Sequence, residues 1–166
     1  MKILGIDPGL AIVGWGVLKY EKSKFTVLGY GSVETPANLS TEDRLLLIHK
    51  GILQLIEQYH PDVMAVEELF FNTNITTGIR VAEARGVILL AARSKDVKIY
   101  EYTPLQVKQA VVGYGRAEKK QVITMVTAFL GLSKPPKPDD TADALAIAVC
   151  HAHSGASRLA QYYNQK

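Results

Sequence analysis

Apolar positions run almost without a break through "KILGID", which is the pattern of a strand buried on both faces. Strand patterning returns over residues 12–20 and 24–34, with the polar "EKSK" as the turn between them. Three successive strands on short turns predict an antiparallel meander. The period then changes. In "LSTEDRLLLIHKGILQLIEQY" the stripe Leu45, Ile48, Ile52, Leu55 and Ile56 recurs at helical spacing, Ser40 is placed to cap with Asp43 three residues on, and Pro61 closes the helix. "DVMAVEELFF" reads as another buried strand, "TTGIRVAEARGVILLAARS" as a helix and "VKIYEY" as a fifth strand. "TPLQVKQAVV" predicts a short helix from Pro104, a residue favoured at the first helical position. "AEKKQVITMVTAFLG" and "DDTADALAIAVCHAH" predict two more helices, with "GYGR" and "SKPPKP" as loops. The order β-β-β-α-β-α-β-α-α-α predicts an α/β fold: a five-stranded mixed sheet with helices on both faces. One domain is expected over residues 1–154, followed by a flexible C-terminal tail over 155–166.

Composition narrows the class. A chain of 166 residues, 48% hydrophobic and 21% charged, suits one globular domain with a sizeable core. The single cysteine, Cys150, excludes an internal disulfide and suits a reducing compartment. "MKILGIDPG" meets Pro8 and Gly9 too early for a signal peptide, and no apolar run is long enough to span a bilayer, so a cytoplasmic protein is expected. Net charge is only +3, but it is unevenly spread. Between Thr103 and Pro138, Lys108, Arg116, Lys119, Lys120, Lys134 and Lys137 face Glu118 alone. A basic face of this kind suits a phosphate-rich partner, although a solvated lysine surface gives the same count.

The acids carry the chemistry. Two buried strands end in carboxylates, Asp7 and Glu67, and open α/β sheets place their sites at the carboxyl ends of strands. "DDTAD" adds Asp140 and Asp143, three apart at the start of the last helix, and hence on a shared face. Each acid has an ordinary account as a turn, strand-end or capping residue. Asp143 fits that account least, because the helix beyond it is apolar nearly all round. Carboxylates converging without His or Cys suit a hard cation, Mg²⁺ or Mn²⁺. Two such ions, about 3.5–4 Å apart, would serve phosphodiester hydrolysis. The histidines offer no rival site: His151 and His153 point to different helix faces, and His49 and His60 are isolated.

"GIDPG", "AVEELFF", "VKQAVVGYGRAEKKQV" and "DDTADALAIAVCHAH" together resemble the RuvC family of Holliday junction resolvases, the crossover junction endodeoxyribonucleases. The resemblance runs from Lys2 to about His153 and implies a ribonuclease H-like fold. It places the family's four catalytic, metal-holding acids on Asp7, Glu67, Asp140 and Asp143, with two Mg²⁺ per site and Mn²⁺ as a substitute. Lys108 and Lys119 match its catalytic basic residues and would also contact DNA phosphate, with Lys120 a general DNA contact beside them. Phe70 matches an aromatic that stacks on a base near the crossover, and Arg80 is a further phosphate candidate. The implied activity is paired symmetric nicking of four-way junctions in DNA recombination and repair. The implied partners are junction DNA, a second copy of the chain in a homodimer, and the branch-migration motor complex. Three other readings stay open on the residues alone: an actin-like or sugar-kinase-like ATPase, a ribonuclease H-like nuclease for structured RNA, and a junction binder without catalysis.

Overall fold

The computed structural model describes residues 1–68 and 75–155. Its strands are β1 (Lys2–Asp7), β2 (Ile12–Glu21), β3 (Lys24–Glu34), β4 (Val63–Glu67) and β5 (Lys98–Tyr102). Its helices are α1 (Thr41–Tyr59), α2 (Ile75–Ser94), α3 (Pro104–Val112), α4 (Lys119–Phe129) and α5 (Asp139–Gly155). The elements follow the predicted order. The strand expected through "DVMAVEELFF" ends at Glu67, and residues 69–74 lie outside the described residues, as do 156–166 of the expected tail.

The sheet order is β3-β2-β1-β4-β5. β1, β2 and β3 form the antiparallel meander, while β1–β4 and β4–β5 pair in parallel through helical crossovers. This mixed sheet is ribonuclease H-like. Side chains alternate across it, so neighbours on one strand serve different cores. Ile3 packs with Leu18, Val63, Ala65 and the helices α3, α4 and α5. Leu4 and Ile6 pack on the opposite side with Met64, Val66 and the helices α1 and α2. Burial on both faces explains why β1 and β4 read as unbroken apolar runs.

Local signals set the helix ends. The Ser40 side chain accepts a hydrogen bond from the Asp43 backbone N–H at 3.2 Å, and His60 leaves α1 in the left-handed region before Pro61. Thr103 and Gln106 cap each other's backbone at the start of α3. α5 is buried almost throughout, from Ala142 to Ala152. It lies unusually near the sheet because three glycines give it room. A Cβ on Gly5 would stand 2.1 Å from the Ala144 carbonyl oxygen, one on Gly14 2.0 Å from that of Asp140, and one on Gly16 2.5 Å from Leu145. Gly5 and Gly16 are cross-strand partners, and Gly14 pairs with Asp7. The bare strip they form sits beneath the helix that carries two of the predicted acids. Among the described residues no helix is long and apolar enough to cross a membrane.

Candidate active site

β1 and β4 are adjacent and parallel, and the pairing Ile6↔Val66 carries Asp7 and Glu67, one residue further on, to the same edge of the sheet. α5, held against Gly5, Gly14 and Gly16, brings Asp143 to that edge. Asp7, Glu67 and Asp143 line one cavity of about 260 Å³, together with Lys108 of α3 and Lys119 of α4. Pro104, Val107, Val122 and Ile147 form its apolar wall. Residues from five elements thus meet at one point.

The cavity is electrostatically uncomfortable for its acids. Burial pushes the Asp7 carboxyl well above the usual carboxylate range, and the charges of Glu67, Asp143 and Asp140 push it further. Glu67 is raised by burial and then by Asp143, with Lys108 and Lys119 pulling the other way. Burial also raises Asp143, against the opposing hydrogen bond and charge of Lys119. The Lys119 ammonium stands 2.8 Å from Asp143 and 3.9 Å from Asp139. Burial lowers the Lys119 pKa, but the hydrogen bond and charge of Asp143, with Asp139 and Asp140, outweigh that and leave it raised.

Asp140 is placed differently from the other three acids. It couples to Asp7 and Asp143 through its charge, yet it lines a neighbouring cavity beyond the Asp7–Gly9 turn. Arg80 lines that second cavity too. Lys120 is exposed on α4 and borders neither cavity. Phe70 lies outside the described residues. One positioning residue was missed in the sequence. Arg85 of α2 donates through Nε to the Glu67 carbonyl oxygen at 3.4 Å and forms an ion pair with Glu101, tying α2 to the ends of β4 and β5. Its only sequence signal was a basic residue on a helix following an acid-ended strand.

Among the described residues no three acidic, histidine or cysteine side chains are close enough to cage an ion as placed. Asp7, Glu67 and Asp143 border a common space, and the Lys119 ammonium pairs with Asp143 there. The donor set still fits a divalent cation. It is all carboxylate oxygen, it borders open volume, and its like charges raise one another's proton affinity, which a cation in their midst would relieve.

The family model "Crossover junction endodeoxyribonuclease RuvC" matches residues 3–151. This chain belongs to the RuvC family. It is 61% identical over 155 residues to the crossover junction endodeoxyribonuclease RuvC of Alkaliphilus metalliredigens, covering 93% of this chain and 94% of that one. The solved Thermus thermophilus RuvC structure superposes with a TM-score of 0.87 at 38% identity, covering 94% of this chain and 96% of that one. A structure of T. thermophilus RuvC in complex with Holliday junction substrate matches at TM-score 0.86 and 36% identity, with the same coverage. RuvC membership leaves no place for the ATPase reading of "GIDPG".

Proposed function

We propose that this chain is the endonuclease that resolves four-way DNA junctions in recombination and repair, cutting by paired symmetric nicks. The observation that carries the reading is the meeting of Asp7, Glu67 and Asp143 with Lys108 and Lys119 in one cavity at the carboxyl edge of a RuvC-family sheet. A T. thermophilus relative solved with a Holliday junction substrate supports the substrate class.

Asp7, Glu67 and Asp143, with Asp140 alongside, are the residues that would hold divalent metal: two Mg²⁺, with Mn²⁺ able to substitute. Bound there, the metal supplies phosphodiester polarisation and an activated water for in-line displacement. The chain's own contribution is placement. Lys108 and Lys119 hold the non-bridging phosphate oxygens and offset the negative charge that grows as the bond to the leaving oxygen breaks. Lys119 pairs with Asp143 here, and it would be free to turn to the phosphate where that carboxylate held a cation. Lys120 and Arg80 engage the backbone outside the reacting phosphate. Phe70 stacks on a base near the crossover, an assignment made from the resemblance alone. Cleavage of the 3′-oxygen bond leaves 5′-phosphate and 3′-hydroxyl ends ready for ligation.

Two nicks on a two-fold symmetric substrate require two sites, and hence a symmetric homodimer. α2 turns Ala84, Ile88, Ala91 and Ala92 into its own core, so Ala91 is not available to a twin. The opposite face carries Ile79 at 52% exposure, exposed Gly86 and Leu90 at 63%, spaced to share one side of the helix. That side is the one we assign to the dimer. We further assign residues 1–154 to the nuclease domain and 155–166 to a tail. The setting is cytoplasmic, with the branch-migration motor as working partner.

Incubating synthetic four-way junctions, linear duplexes and RNA hybrids with and without divalent metal tests the reading. Paired nicks at symmetric positions on the junction alone, and only with metal, are expected. Equal cutting of duplex or RNA, or cutting that persists in chelator, contradicts it.

A further inference from the structure

We propose that the second cavity, across the Asp7–Gly9 turn from the acid cavity, is a phosphate subsite in which Arg44 and Arg80 hold a DNA backbone phosphate beside the one that is cut. This rests on the junction-cleaving reading above.

The cavity measures about 560 Å³, with Arg44, Thr76, Thr77, Arg80, Asp140 and the backbone from Gly9 to Ile12 on its walls. Arg44 is the informative member. It is only 9% exposed, yet no carboxylate pairs with it among the described residues. Arg85 and Arg93, both nearer solvent on α2, each have an acid partner. A guanidinium taken this far from water without a counter-charge is costly, so its place on a cavity wall points to an anion arriving from outside.

Its orientation is fixed in a way that suits that task. Nε donates to the Thr35 hydroxyl at 2.8 Å, and that hydroxyl donates to the Leu10 carbonyl oxygen at 2.5 Å. The chain of bonds ties the Arg44 side chain to the backbone just beyond the turn that carries Asp7. The remaining fork of donors matches the geometry of a phosphate. Arg80, exposed on α2, lines the same space. Two guanidinium groups outweigh the single carboxylate of Asp140. That carboxylate, together with Gly9 two residues after Asp7, places the subsite directly beside the cutting site. The occupant is therefore a backbone phosphodiester a short step along the strand being nicked, recognised without regard to sequence.

The test compares wild type with Arg80→Ala, Arg44→Gln and Arg44→Lys, using fluorescent four-way junctions in metal-free buffer across a salt series. Thermal unfolding is followed on the same samples. Each neutral variant is expected to bind about tenfold more weakly, with the salt slope reduced by about one, and Arg44→Lys to keep the wild-type slope. Single methylphosphonate linkages are then stepped along the strand near the nick. One position is expected to weaken wild type about tenfold while leaving Arg80→Ala and Arg44→Gln unchanged.

Wild-type slopes in Arg80→Ala and Arg44→Gln overturn the proposal. So does a lower unfolding temperature in Arg44→Gln with full sensitivity to every linkage retained, which would make Arg44 merely the tie between Thr35 and α1. Arg80, being exposed, gives an answer even where Arg44→Gln fails to fold. If wild type itself does not prefer a junction to a duplex, it is the underlying functional reading that falls.

Discussion

The two faces of the sheet are built to different tolerances. On one, α5 rests on a strip of bare backbone at Gly5, Gly14 and Gly16, and Ala144 and Ala148 meet that strip directly. On the other, α1 and α2 meet the sheet through Ile48, Ile52, Met64 and Ile88, side chains long enough to shift and repack. The tight face carries Asp140 and Asp143, while the deformable one carries Ile79 and Leu90 on its outer surface. The difference is mechanical. A helix seated on backbone cannot slide without collision, so it can hold charges against their mutual repulsion at a fixed distance. A helix seated on flexible side chains is stable but sets positions less sharply.

The sharpest way to test the contrast is through the acids themselves. Asp7→Asn, Glu67→Gln, Asp140→Asn and Asp143→Asn are each expected to cut junctions about a thousandfold more slowly in a nicking assay, with junction binding retained. Next comes the seat of α5. Gly14→Ala drives a Cβ into the Asp140 carbonyl, and is expected to cost about 2–3 kcal/mol by denaturant unfolding and to slow cleavage about a hundredfold. Ile52→Val, on the other face, is expected to cost about 1 kcal/mol and leave the cleavage rate alone. Equal activity losses in the two variants would erase the distinction between the faces. Smaller effects are expected from the lysines. Lys108→Ala and Lys119→Ala should slow cleavage about ten- to a hundredfold in single-turnover assays, and Lys120→Ala, which borders neither cavity, far less.

Much of this was readable from the chain. The unbroken apolar runs of β1 and β4 required burial on both faces, which put their terminal acids at a sheet edge. Ser40 and Pro104 marked the starts of their helices by residue chemistry alone, whereas the Thr103–Gln106 capping box was seen only in the structure. Other features were hidden because they depend on approach distances that no local pattern encodes. Gly14 and Gly16 alternate on β2 and Gly5 lies across from Gly16, yet only the packed helix shows what that bare strip is for. Asp140 and Asp143 were expected to share a face. A three-residue step turns about 60° short of a full circle on a helix, and here that offset is enough to send them into adjoining cavities. Arg44 drew no reading from the sequence, yet it lies buried against Thr35. Polarity in the sequence signals exposure unless a cavity intervenes.

The central claim is that Asp7, Glu67 and Asp143 share one electrostatic problem, to which the charge of Asp140 adds, and that a divalent cation resolves it. Folded Asp7, Glu67 and Asp143 have raised pKa values, so they keep protons that the unfolded chain has already lost. The stability this lends is complete below the ordinary carboxylate range and disappears as pH rises through the raised values. Metal-free protein at about pH 8 is therefore strained by its own site. The direct measurement is thermal unfolding of wild type and Asp7→Asn at that pH, with and without Mg²⁺ or Mn²⁺. The account predicts that metal-free Asp7→Asn melts higher than metal-free wild type, and that metal raises the wild-type midpoint but barely moves the variant's. A variant that melts lower than wild type without metal, or that gains as much from metal, would contradict it.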